Sequence, residues 1–195
     1  MKKIVFDILN ESLSVKEAFV RENADRIVHG ADRIATCLTG GHKLLLFGNG
    51  GSAADAQHIA AEFVNRFRIE RAPLAAIALT TDTSVLTSIG NDYAFDEIFS
   101  KQVRAIGQPD DIALGISTSG NSPNVVGAFK VAREMGLVTV GLTGQGGGKV
   151  AEYSDILFAV GSAVTARIQE THITLGHMLC ELTDRILFPS AFDSE

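Results

Sequence analysis

The chain has 195 residues, 46% of them hydrophobic and 21% charged, and its 17 basic against 23 acidic side chains leave a net charge of −6. That size and composition suit one folded domain with an ordinary core and exclude global disorder. The acidic balance argues against broad non-specific binding to nucleic acid or anionic membrane, and no apolar run approaches the roughly 20 residues that span a bilayer.

Met1-Lys2-Lys3-Ile4-Val5-Phe6-Asp7 starts basic but meets an acid at once, unlike a signal peptide. Phe6, Leu9, Leu13 and Val20 recur at helical spacing, and Ile27, Ile34 and Leu38 continue it in a second segment. Cys37 and Cys180 form no metal-binding or CxxC spacing, so buried thiols are expected. Gly40-Gly41 stops the helical region. Five short apolar runs then follow: 43–47, 75–79, 112–117, 138–142 and 156–160. They lack alternation, as strands covered on both faces do. Helix-length segments at 52–66, 96–106 and 123–135 lie between them, and a long helix is expected from about Arg167 to Leu187. Alternating strands and helices predict an α/β fold with a parallel sheet.

Two loops leave a predicted strand and open a predicted helix: Gly48-Asn49-Gly50-Gly51-Ser52 and Ser117-Thr118-Ser119-Gly120-Asn121-Ser122. Ligands bind at such strand ends, and helix N-termini attract anions. The second loop concentrates four hydroxyls around a glycine and suits a phosphate. It also reads as a polar turn in which Ser119 or Ser122 caps a helix with Pro123 in its first turn. Gly48, Gly50 and Ala53 satisfy a permissive dinucleotide pattern, with Asp82 as a candidate ribose partner. Gly144–Gly148 departs from a P-loop at both Thr143 and Val150 and reads as a flexible surface turn.

His58 and Glu62 stand four apart, on one helical face, and suit either a shared divalent metal or a solvated pair. Gln169 and His177 should lie about 12 Å and about 80° apart on the last helix. Their convergence on one ion would be marginal, which points either to helices from two subunits or to a local distortion near Gly176. His172 reads as a core or capping histidine.

These segments together resemble the phosphoheptose isomerase family of the sugar isomerase (SIS) domain superfamily. The resemblance runs from about Ala24 to Leu187. It rests on Gly48–Ser52, His58 with Glu62, Gly90-Asn91-Asp92, Gly115–Ser122, and Arg167-Ile168-Gln169-Glu170 followed by His177. It implies a single SIS domain over 1–195: a three-layer αβα sandwich with a five-stranded parallel sheet, N-terminal helices over 1–40 and a long C-terminal helix. It implies one zinc per subunit on His58, Glu62, Gln169 and His177, with Glu62 and His177 as the acid/base pair. Sugar-phosphate contacts are implied at Asn49, Gly50, Gly51, Glu62, Asn91, Asp92, Ser117, Thr118, Ser119, Ser122 and Gln169. A cytoplasmic homotetramer with sites near subunit contacts is implied, with no nucleic-acid or membrane partner. The reaction implied interconverts sedoheptulose 7-phosphate and D-glycero-D-manno-heptose 7-phosphate, at the entry to heptose synthesis for lipopolysaccharide. Where enterobacterial members carry an acid three residues before the glutamine, this chain has Ala166, which bears on substrate orientation. Asn65-Arg66-Phe67 and Leu187-Phe188-Pro189 also resemble a SIS-domain protein that binds the replication initiator DnaA. That alternative predicts no bound metal and no turnover.

Overall fold

The five apolar runs become five parallel strands in a computed structural model, which describes residues 1–192. They are β1 (Leu44–Gly48), β2 (Ala76–Ala78), β3 (Ile112–Ser117), β4 (Val138–Thr143) and β5 (Ile156–Ala159), in the order β2-β1-β3-β4-β5. The helices are α1 (Lys2–Thr39), α2 (Gly51–Val64), α3 (Thr83–Asp92), α4 (Ser100–Ile106), α5 (Pro123–Glu134) and α6 (Thr165–Leu187). Side chains alternate across each strand, so β1 feeds two cores. Leu44 and Leu46 join Ile34, Ile59, Leu175 and Leu179 from α1, α2 and α6. Leu45 and Phe47 join Ile89, Val103, Val125 and Phe129 from α3, α4 and α5. Helices on both faces of one sheet make the expected three layers.

Several expectations need correction. Residues 2–39 form one helix of 38 residues, not two segments, because no proline interrupts them and Gly30 is used for packing. A Cβ at Gly30 would lie 3.3 Å from Leu179 and Phe158. The first half of α1 leaves Ile4, Val5, Phe6 and Leu13 about half exposed or more. The 96–106 helix is instead a 3₁₀ turn over Phe95–Glu97 followed by α4. Helix α3 was not anticipated, since its Thr, Ser and Val residues favour other conformations. Its signal was Asp82, whose carboxylate accepts a hydrogen bond from the Val85 amide at 2.9 Å. That helix-capping role replaces the ribose-binding one.

The glycine run is not a free surface turn either. Gly144 and Gly147 are buried, and the Gly144 amide donates to the Thr118 carbonyl at 3.0 Å. Gly120 has φ +64°, and a Cβ there would lie 2.1 Å from the Gly147 carbonyl oxygen. Main chain meets main chain, so the glycine run braces the hydroxyl loop from behind. Both cysteines are buried free thiols, and burial raises each thiol's pKa, for Cys37 to about 11.

His172 is a core histidine, as expected. It is fully buried, and its Nε2 donates to the Thr143 carbonyl at 3.0 Å. Burial pushes its pKa down to about 4, against the opposing pull of the Thr143 bond. Below its ordinary value of 6.5 the unfolded chain therefore takes up a proton that the folded chain refuses. The stability this histidine contributes is complete above that value and is lost as pH falls through about 4. Denaturant unfolding measured from pH 7 down to pH about 4 should show this decline, and His172→Gln should flatten it.

Candidate active site

Strand order reverses between β1 and β3, which pair in register from Leu44 opposite Ile112 to Gly48 opposite Ile116. Chains leaving these two strands diverge to opposite faces and open a crevice, the usual ligand site of such sheets. Both motif loops sit there. Gly48 is required at the first: a Cβ would lie 2.8 Å from the Ile116 carbonyl oxygen. Gly50 turns the chain with φ +55° into α2.

The two loops are tied together through a residue that the sequence reading missed. Asn49 and Asn124 exchange two amide hydrogen bonds, each 2.9 Å, and the Val125 amide donates to Asn124 Oδ1 at 2.9 Å. Asn124 is almost fully buried. Its only sequence signal was its place just after Pro123. The Asn49 side chain is thereby committed to holding the loops, which leaves its main chain to face the crevice.

In the hydroxyl loop, Ser122 occupies the N-cap position of α5, yet its side chain does not cap. Its hydroxyl instead pairs with Ser117 Oγ at 2.9 Å, and Ser119 Oγ lies 3.5 Å from Ser117 Oγ. Three hydroxyls thus gather at the end of β3, and the helix is left without its side-chain cap. That arrangement favours the ligand reading over the polar-turn reading. The Asn121 amide donates to Ser119 Oγ at 3.1 Å. Asn91 and Asp92 lie at the exposed end of α3, where the Asn91 amide donates to the Asp92 carboxylate at 2.9 Å. No hydrogen bond among the described residues links them to the loops.

One face of α2 meets α6. Gly176 allows the approach: a Cβ there would lie 2.6 Å from Ile59 Cδ1. Helix α6 runs unbroken through Gly176, so the glycine serves packing rather than distortion. The result is a cluster of His58, Glu62 and His177 whose ligand atoms all lie within 4.8 Å of one another. His58 Nε2 is 3.1 Å from Glu62 Oε1 and 3.3 Å from His177 Nε2. These three donors come from one chain, so their convergence does not depend on a second subunit. The Phe67 ring stacks on His177 with centroids 5.3 Å apart. Burial and the neighbouring His58 lower the His177 pKa, against the pull of Glu62. Asp55, one turn before His58, has a buried carboxylate oxygen without a partner among the described residues, and burial raises its pKa.

The donor set fits a zinc ion. A tetrahedral site with bonds of about 2.0–2.1 Å spaces its ligand atoms by about 3.3 Å, close to the separations found here. Two imidazole nitrogens and a carboxylate gathered this closely form a set of lone pairs that a cation would satisfy. Gln169 stands about two turns before His177 on α6. Its amide lies over the first turn of α2, where Nε2 would be 2.5 Å from a Cβ at Gly51. The structure gathers His58, Glu62 and His177 and puts the Gln169 amide against Gly51 at the start of the helix that carries His58 and Glu62. Ala166 is exposed in the first turn of α6.

Comparisons with known proteins show the family. The SIS domain family matches residues 8–144. A phosphoheptose isomerase of Nitratidesulfovibrio vulgaris strain Hildenborough is 61% identical over 187 residues, covering 96% of this chain and 90% of that protein. One of Aquifex aeolicus strain VF5 is 57% identical, covering 96% and 98%. Among solved structures, phosphoheptose isomerase GmhA from Neisseria gonorrhoeae superimposes with a TM-score of 0.89 at 47% identity, covering 94% of this chain and 98% of that one.

Proposed function

Because the chain belongs to the phosphoheptose isomerases of the SIS domain family, we propose that it interconverts sedoheptulose 7-phosphate and D-glycero-D-manno-heptose 7-phosphate. The reaction supplies bacterial heptose synthesis for lipopolysaccharide, in the cytoplasm. The observation that carries this reading is the meeting of His58, Glu62 and His177, two of them on the helix that opens from the Gly48–Ser52 loop.

The ketose phosphate docks in that crevice. Ser117, Thr118, Ser119 and Ser122 take the phosphate through hydroxyls and amides. Gly50, Gly51 and the Asn49 main chain line the near wall, and Gln169, Asn91 and Asp92 hold sugar oxygens. The phosphate contacts lie far from the reacting carbons and supply orientation. Glu62 then takes a proton from one of the carbons C1 and C2, and His177 serves the oxygens as the enediolate forms and collapses. Glu62 Oε1 faces His58, which leaves Oε2 to carry the proton. A lowered pKa favours the neutral form of His177, the form a metal ligand needs. His58, Glu62 and His177, with Gln169 as the fourth ligand, would hold a zinc ion supplying Lewis-acid charge for the sugar oxygens.

We assign the assembled form to a homotetramer. Support comes from the exposed apolar side chains along α1 and from the apolar groove between α1 and α6 lined by Val20, Ala24, Ile27, Val28, Met178 and Leu182. No helix among the described residues is long and apolar enough to cross a membrane.

The test is to purify the chain, measure its metal and assay sedoheptulose 7-phosphate. About one zinc per chain and conversion to the aldose phosphate are expected. A metal-free protein without turnover would instead favour the DnaA-binding alternative.

A further inference from the structure

Arg71 and Asp184 form an ion pair in which each side chain is only 1% exposed. Replacing such a pair with apolar groups is often neutral or stabilising, so burial of the charges does not by itself account for it. Its geometry offers an account. Arg71 Nε donates to Asp184 Oδ1 at 2.8 Å. The same guanidinium donates to the main-chain oxygens of Glu62 (2.9 Å) and Phe63 (2.8 Å), and more weakly to those of Asn65 and Ala72. Glu62 and Phe63 belong to the last turn of α2, whose carbonyls have no partner within the helix. Asp184 lies two turns beyond His177 on the same face of α6. One cation therefore joins the main chain of Glu62 to the helix that carries His177. The segment after α2 follows that face: Phe67 stacks on His177, Arg68 pairs with Glu181 at 2.8 Å, and Arg71 pairs with Asp184.

We infer that Arg71 and Asp184 are positioning residues that set the separation of Glu62 from His177, and thereby the metal affinity of the His58–Glu62–His177 cluster. The inference rests on the metal-binding reading proposed above. Arg71→Lys keeps the charge but cannot span the aspartate and two carbonyls together.

Cobalt(II) is the probe ion, read by its visible absorption and by titration. Arg71→Lys should bind it about ten- to a hundredfold more weakly, the usual cost of losing a partner that orients ligands, with a shifted visible band. Val103→Ala is the control: a buried residue of the opposite core, it should lose thermal stability and keep the wild-type affinity and band. The double variant Arg71→Met/Asp184→Leu should regain thermal stability and still bind cobalt weakly. Wild-type affinity and band in Arg71→Lys, or the same loss in Val103→Ala, would overturn the inference and leave the metal site standing. If Arg71→Lys does not fold, the double variant decides, and wild-type affinity there overturns it. A wild-type protein that takes up no cobalt overturns the metal reading and this inference with it.

Discussion

Glu62→Gln should fold, hold sugar phosphate and turn over about a thousandfold more slowly, within the range that a positioned acid or base contributes. The substitution keeps the shape of the side chain, which is 23% exposed, so neighbouring packing has little reason to change. An amide oxygen can still face His58 Nε2 across the 3.1 Å that Glu62 Oε1 now spans. What the amide cannot do is accept a proton from carbon and return it. The kinetic signature should be a fall in kcat with KM nearly unchanged, because the interaction lost acts only in the transition state. Metal content must be measured on the same sample, since loss of the ion would mimic loss of the base. A metal-replete Glu62→Gln enzyme within tenfold of wild type would remove Glu62 from the proton transfer.

Gly120→Ala should raise KM for the sugar phosphate at least about tenfold and destabilise the fold by about 1–3 kcal/mol through backbone strain alone. Two independent faults meet at this position. The left-handed φ of +64° disfavours any side chain, and a Cβ would lie 2.1 Å from the Gly147 carbonyl oxygen. That neighbour is backbone, so no rotamer change relieves the contact. The hydroxyl loop or the glycine run must move, and the pairing of Ser117 with Ser122 moves with it. Gly146→Ala is the control, because φ is +80° there but a Cβ would meet nothing within 4 Å. It should show the strain and leave KM near wild type. Equal KM values in the two variants, measured beside their melting temperatures, would show that the brace does not shape the phosphate site.

Local chemistry was the legible part of this sequence. The strands announced themselves because runs such as Ile112–Ile116 are apolar throughout, and the four-residue spacing of His58 and Glu62 guarantees a shared helical face. The hydroxyl loop was visible for a similar reason. The illegible parts depend on contacts between distant segments. His177 reaches His58 because Gly176 lets α6 close on Ile59, and no spacing along the chain encodes that approach. Gly144–Gly148 looked like a loose turn because its partner, Gly120, lies more than twenty residues earlier. Asn124 and Arg71 escaped notice because a lone polar residue acquires its role only from the groups packed around it. Helix α3 was hidden by its own composition, with Asp82 as the one local cue.

In the proposed tetramer, the exposed apolar side chains in the first half of α1 would tie the stability of this chain to how much of it is present. Side chains such as Phe6 and Leu13 yield little free energy while they face water. They contribute once another surface covers them, and the proposed tetramer would supply that surface by mass action. Dilution would then work as a gentle denaturant, and the melting temperature would belong to a concentration rather than to the polypeptide alone.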